Sequence, residues 1–151
     1  MSALKTLRTD AVWLLVALAA ACGGERSQGA APATEAAAEP SMSVRLVEPQ
    51  DGDTVEGPVR VVFEVTGLDI VPAGTEQPRS GHHHLLVDVD LPPAGQPVPS
   101  TAGYLHFGQA QTEATLEDLA PGVHRLIAVV ADFAHVPLQP LVVDTVHVTV
   151  R

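Results

Sequence analysis

From Met42 to the C-terminus, valine and leucine alternate with polar residues, and glycine or proline breaks the alternation. A period of two belongs to a strand with one face buried, and short strands divided by turns roughly every eight to twelve residues signal an all-β domain. The stretch 59–66 carries the pattern clearly. Val59, Val61, Phe63 and Val65 fall on one side, and Arg60, Glu64 and Thr66 on the other. In 142–150, Val142, Asp144, Val146, Val148 and Val150 oppose Val143, Thr145, His147 and Thr149. Further strands are expected at 43–47, 82–90, 104–107, 111–116 and 123–131, with Pro- and Gly-rich loops at 69–80 and 91–103. No stretch has the 3.6-residue period of a helix.

This spacing predicts an antiparallel β-sandwich of about seven strands, immunoglobulin-like or fibronectin-like. A chain of this length buries an adequate core without disulfides. The segment Leu119-Ala120-Pro121-Gly122-Val123-His124 resembles the corner before the F strand of such sandwiches. Tyrosine often stands there in place of His124, and its hydroxyl bonds back to the main chain. A structural hydrogen bond is therefore the expected role of His124.

The N-terminal part has a different texture. Lys5 and Arg8 precede the apolar run 11–21, which is too short to span a bilayer comfortably and reads as an export signal. Leu18-Ala19-Ala20-Ala21-Cys22 resembles a bacterial lipobox, with Ala19 in place of the usual leucine. That resemblance implies acylation of Cys22, and Gly23 after it implies the periplasmic face of the outer membrane. Residues 23–41 lack large apolar side chains and are expected to form a flexible tether. The expected organisation is thus a lipoprotein signal at 1–21, a lipidated Cys22 with a linker at 22–41, and a sandwich at 42–151.

Composition narrows the partners. Cys22 is the single cysteine, so no intramolecular disulfide forms and no thiolate is available to the folded domain. Removing a signal that contains Lys5, Arg8 and Asp10 leaves six Arg, no Lys and seventeen acidic residues, a net charge of −11. Such a field repels phosphate backbones and attracts cations, which excludes nucleic acid as an expected partner. The expected partners are the membrane, through Cys22, a metal ion and an envelope protein.

The seven histidines all lie at or beyond residue 82. In Gly81-His82-His83-His84-Leu85-Leu86-Val87-Asp88, a strand turns His82 and His84 to one face and His83 to the other, with Leu85 and Val87. His82 and His84 can share one ion, since neutral imidazole suits Zn, Cu and Ni. One strand cannot complete a site, and His106 and His135 are the best-placed additional ligands. His83 reads as a buried, hydrogen-bonded core residue or a further ligand. His124 is a further ligand if it is not structural, and His147, among threonines, reads as surface. Asp88 and Asp132 are candidates to orient an imidazole through its second nitrogen. With Met42 the only methionine of the mature chain, sulfur-rich Cu(I) and blue-copper sites are excluded, and Cu(II) or Zn(II) is favoured.

Taken together, Gly81–Asp88, His106-Phe107-Gly108, Gln111-Thr112-Glu113-Ala114-Thr115, Leu119–His124 and Asp132-Phe133-Ala134-His135 resemble the bacterial exported domain family of unknown function numbered 4399. The resemblance covers roughly 44–151. It implies that His82, His83, His84, His106, His124 and His135 belong to the family pattern, and it implies no activity. Two function classes follow. One is an envelope lipoprotein that binds a divalent transition metal, copper or zinc, as buffer, carrier or sensor. The other is a non-catalytic structural or interaction module whose histidines pack and hydrogen-bond. No Gly-x-Ser-x-Gly elbow, phosphate-binding loop or His-Glu-x-x-His motif is present, so no enzymatic activity is expected.

Overall fold

The computed structural model describes residues 40–151. The expected signal at 1–21, Cys22 and all but the last two residues of the expected linker lie outside the described residues. Among the described residues there are nine strands and no helix. The strands are β1 (Ser43–Glu48), β2 (Thr54–Val55), β3 (Val59–Thr66), β4 (Asp69–Ile70) and β5 (Ser80–Val87), followed by β6 (Tyr104–Phe107), β7 (Glu113–Leu116), β8 (Gly122–Ala131) and β9 (Val143–Val150).

They form two sheets. One has the order β1-β3-β7, and the other the order β2-β9-β8-β5, with β4 and β6 both pairing with β5. The fold is an immunoglobulin-like or fibronectin-like β-sandwich, and the seven longer strands all pair antiparallel. Two additional pieces, β2 against β9 and β4 against β5, are two-residue parallel pairings. Two residues are too short to carry a period, so alternation does not reveal them.

The core lies where the alternation places it. Val44, Leu46, Val59, Val61 and Phe63 of the smaller sheet face Leu85, Leu126, Ala128, Val130, Val146, Val148 and Val150 of the larger one. Each such buried side chain contributes about 1.5–3 kcal/mol relative to leaving it in water. Across the smaller sheet's outer side, Arg60 bridges Glu48 and Glu113.

The outer face of the larger sheet is also partly covered. Leu86, Ile127, Val129 and Ala131 form a second small core with Val98, which the loop 91–103 folds down onto the sheet. Hence β5 is buried on both faces along almost its whole length. It ends at Val87 rather than at residue 90, because Asp88 takes a left-handed backbone conformation with φ 58°. Beyond that end of β5, the outer face is apolar; toward the start of β5 it carries imidazoles.

Candidate metal centre

The period of β5 sends His82, His84 and Leu86 to the outer face, and His83, Leu85 and Val87 inward. Register then supplies neighbours. His84 stands opposite Val129 of β8 on one side and His106 of β6 on the other, while His82 stands opposite Ala131, the last residue of β8. The chain leaving β8 curls back through 132–136 and delivers His135 over His82. Gly81 permits the close β5–β8 approach, since a Cβ there would run into the Ala131 carbonyl and the Val130 side chain.

Four imidazoles from three segments therefore converge. The His82 Nε2 atom lies 3.0 Å from His84 Nε2 and 3.0 Å from His135 Nδ1. One ligand atom from each of His82, His84, His106 and His135 falls in a group whose members all lie within 4.8 Å of one another. Ring centroids within the set are 4.8–5.6 Å apart. A tetrahedral ion bonded at ~2.0–2.1 Å to each nitrogen would hold them roughly 3.3 Å apart, so the widest pairs would close by no more than about 1.5 Å.

The electrostatics favour neutral rings. Burial, then the neighbouring His135 and His106, push His82 down to about 4, with Asp132 opposing. Burial and the other imidazoles push His84 down to about 3. His106 is lowered by burial and by His135. Neutral imidazoles offer lone pairs, the state in which histidine ligates metal.

Asp132 acts on the site through the main chain rather than by orienting an imidazole. Its Oδ1 accepts from the N–H groups of Ala134 and Val136, at 2.8 and 2.9 Å, and its carbonyl accepts from the His135 N–H. This aspartate-led turn holds His135 at φ 64°, a left-handed conformation uncommon outside glycine but one that histidine visits more readily than most residues. The His135 carbonyl in turn accepts from Val98 N–H, which ties the covering loop to the site. The aspartate three residues before a histidine was the available signal for this role.

The remaining candidates stand apart. His83 is fully buried on the opposite face of β5, stacked on Phe63 with ring centroids 4.4 Å apart and planes 16° from parallel. Neither of its ring nitrogens has a hydrogen-bond partner, contrary to the expected hydrogen-bonded core histidine, and burial followed by His82 lowers its pKa to about 4. His124 sits at the corner and donates from Nδ1 to Asp88 Oδ2 at 2.6 Å and from Nε2 to the Ala120 carbonyl at 2.7 Å. Asp88 orients that imidazole, and also accepts from Arg125 N–H at 2.8 Å, but it serves the corner and no member of the four-histidine group. His147 is exposed and lies 3.4 Å from the Asp51 carboxylate. Two glycines were missed as site residues, Gly81 and Gly108. The second lets the His106 ring lie against the main chain, since a Cβ at 108 would fall 2.5 Å from His106 Cε1.

No curated protein and no solved structure matches the chain. The profile of a family described as Domain of unknown function (DUF4399) matches residues 61–151, a stretch that contains all four converging histidines. That match takes in more than half of the chain, and the protein belongs to this family.

Proposed function

We propose that the protein is a metal-binding lipoprotein of the bacterial envelope that holds one Cu(II) or Zn(II) ion between His82, His84, His106 and His135. The observation that carries this reading is the convergence of four ring nitrogens from β5, β6 and the loop after β8. The donor set supports it: four imidazoles and no sulfur suit Zn(II) or Cu(II) rather than Cu(I). Four protein ligands fill a tetrahedral ion, the arrangement of a holding site rather than of a catalytic one with an open position. Attachment through Cys22 would place the acidic domain at a membrane surface, where it serves as buffer, carrier or sensor.

Equilibrium titration with Cu(II) and with Zn(II) tests the proposal. One ion per chain with submillimolar affinity is the expected result. Wild-type protein that binds neither ion more tightly than millimolar would sink it.

A further inference from the structure

The four ligands are not equivalent. His82 and His84 are 1% and 3% exposed, whereas His106 is exposed. The first two stand on β5, which is laddered on both sides, by β8 and by the β4–β6 edge. His135 is half-buried and fixed by the Asp132 turn and by the bond to Val98. His106 stands on β6, four residues long and paired only with β5. The His82 Nε2 atom already touches a ring nitrogen of His84 and one of His135 at 3.0 Å, while the His106 side chain has no hydrogen-bond partner among the described residues. Three imidazoles thus make a fixed, sheltered nucleus, and the fourth lies on the solvent side at the sheet edge.

We propose that His106 is the exchangeable ligand of this site, the coordination position at which an external imidazole-class nitrogen donor enters and displaces it. The inference rests on the metal-binding reading above. In the exchange one metal–nitrogen bond forms and one breaks. The entering ring and the departing His106 are both neutral, and the oxidation state of the ion is unchanged. His82, His84 and His135 keep the ion through this first exchange, so the protein can sense a donor at once, and hands its cargo on only when further donors replace those three in turn. Gly108 is the positioning residue for this ligand. It lies outside the left-handed region, so alanine suits its backbone, yet the added Cβ would displace the His106 ring and press on Ala73 Cβ at 3.1 Å.

The test loads Cu(II) and follows its visible absorption and nitrogen hyperfine structure in wild type, His106→Ala, Gly108→Ala and His84→Ala. His106→Ala is expected to retain one Cu(II) per chain with affinity reduced about a hundredfold, the share of one ligand in four. Free imidazole should restore its wild-type spectrum. Gly108→Ala should bind more weakly in the same sense and also respond to imidazole. His84→Ala should lose far more affinity and gain nothing from imidazole, because its vacancy is buried. In the wild type, transfer of Cu(II) to a chelator should accelerate in proportion to imidazole concentration. Equal losses in His106→Ala and His84→Ala, or no response of His106→Ala to imidazole, would overturn the exchange proposal while leaving the metal site standing. Failure of the wild type to take up Cu(II) at all would overturn the site itself.

Discussion

His83 and its two neighbours are the same residue one position apart, and β5 sends them to opposite environments. On the outer face, His82 and His84 meet two further imidazoles, and their nitrogens point at one another. On the inner face, His83 meets the rings of Phe63 and the apolar core, and its nitrogens meet nothing. All three rings are held neutral chiefly by burial. Burial alone therefore does not mark a ligand. What separates the two faces is whether register brings other donors: on the outer face β6 presents His106 and the loop after β8 presents His135, whereas on the inner face β6 presents Phe107.

The comparison breaks most completely on the outer side. His82→Ala with His84→Ala should weaken Cu(II) or Zn(II) binding by at least ~1,000-fold, about 4 kcal/mol, in calorimetric titration. Metal at a hundred times the wild-type Kd should stabilise the wild type by about 2.7 kcal/mol and leave the double variant's unfolding unmoved. Unchanged affinity in that variant would remove β5 from the site. The inner side answers to a different change. Phe63→Ala removes a buried ring that stacks on His83 and packs near Phe107, 5.5 Å away between centroids, and should cost about 3–5 kcal/mol in urea unfolding. Its metal stoichiometry should stay at one if the two faces are independent.

His83 itself gives a smaller effect of the opposite sign. Two buried ring nitrogens without partners carry a desolvation penalty, so His83→Leu should stabilise the protein by about 1–3 kcal/mol, read by the same unfolding curves. Metal affinity should remain. Destabilisation by this volume-conserving change would show that the imidazole is held by a polar partner after all.

These contrasts were partly legible in the chain. Alternation in 59–66 and 142–150, broken at Val62, Val143 and Asp144, still placed the core valines of both strands, and the same period put His82 and His84 on one face. The run from Gly81 to Val87 has no polar residue except histidine, the signature of a strand covered on both faces, but the cover itself was not visible. It comes from Val98, an isolated valine in a proline-rich loop, brought down by a bond to the His135 carbonyl. The approach of His106 depends on β5–β6 register, and that of His135 on β5–β8 register, which sets the local Asp132 turn over β5; alternation within one strand reveals neither pairing. Asp88 was legible as a group that orients an imidazole, but not which one, because the corner brings His124 to it across 36 residues.

The corner supplies the smallest and most specific test, since it holds a histidine whose surroundings favour charge. Both groups facing the His124 ring nitrogens, the Asp88 carboxylate and the Ala120 carbonyl, can only accept, so both nitrogens must carry hydrogens. The bond to Asp88 chiefly, with the Ala120 bond assisting, raises His124 from its ordinary 6.5. For Asp88, burial works upward, and hydrogen bonds from Arg125 N–H and His124 outweigh it, lowering it from 3.8. The His124 contribution to stability is thus complete below about pH 6.5 and fades as pH rises through its folded value. The Asp88 contribution holds above about 3.8 and fades as pH falls through its own. The pair is strongest between those limits. Asp88 is half-exposed, so solvent screening keeps the effect below about 1 kcal/mol. In chelator-treated protein, wild type should lose more stability than His124→Gln between pH 6.5 and 8.5. Parallel curves would mean that the corner imidazole is neutral, and that one of its two acceptors has no hydrogen to accept.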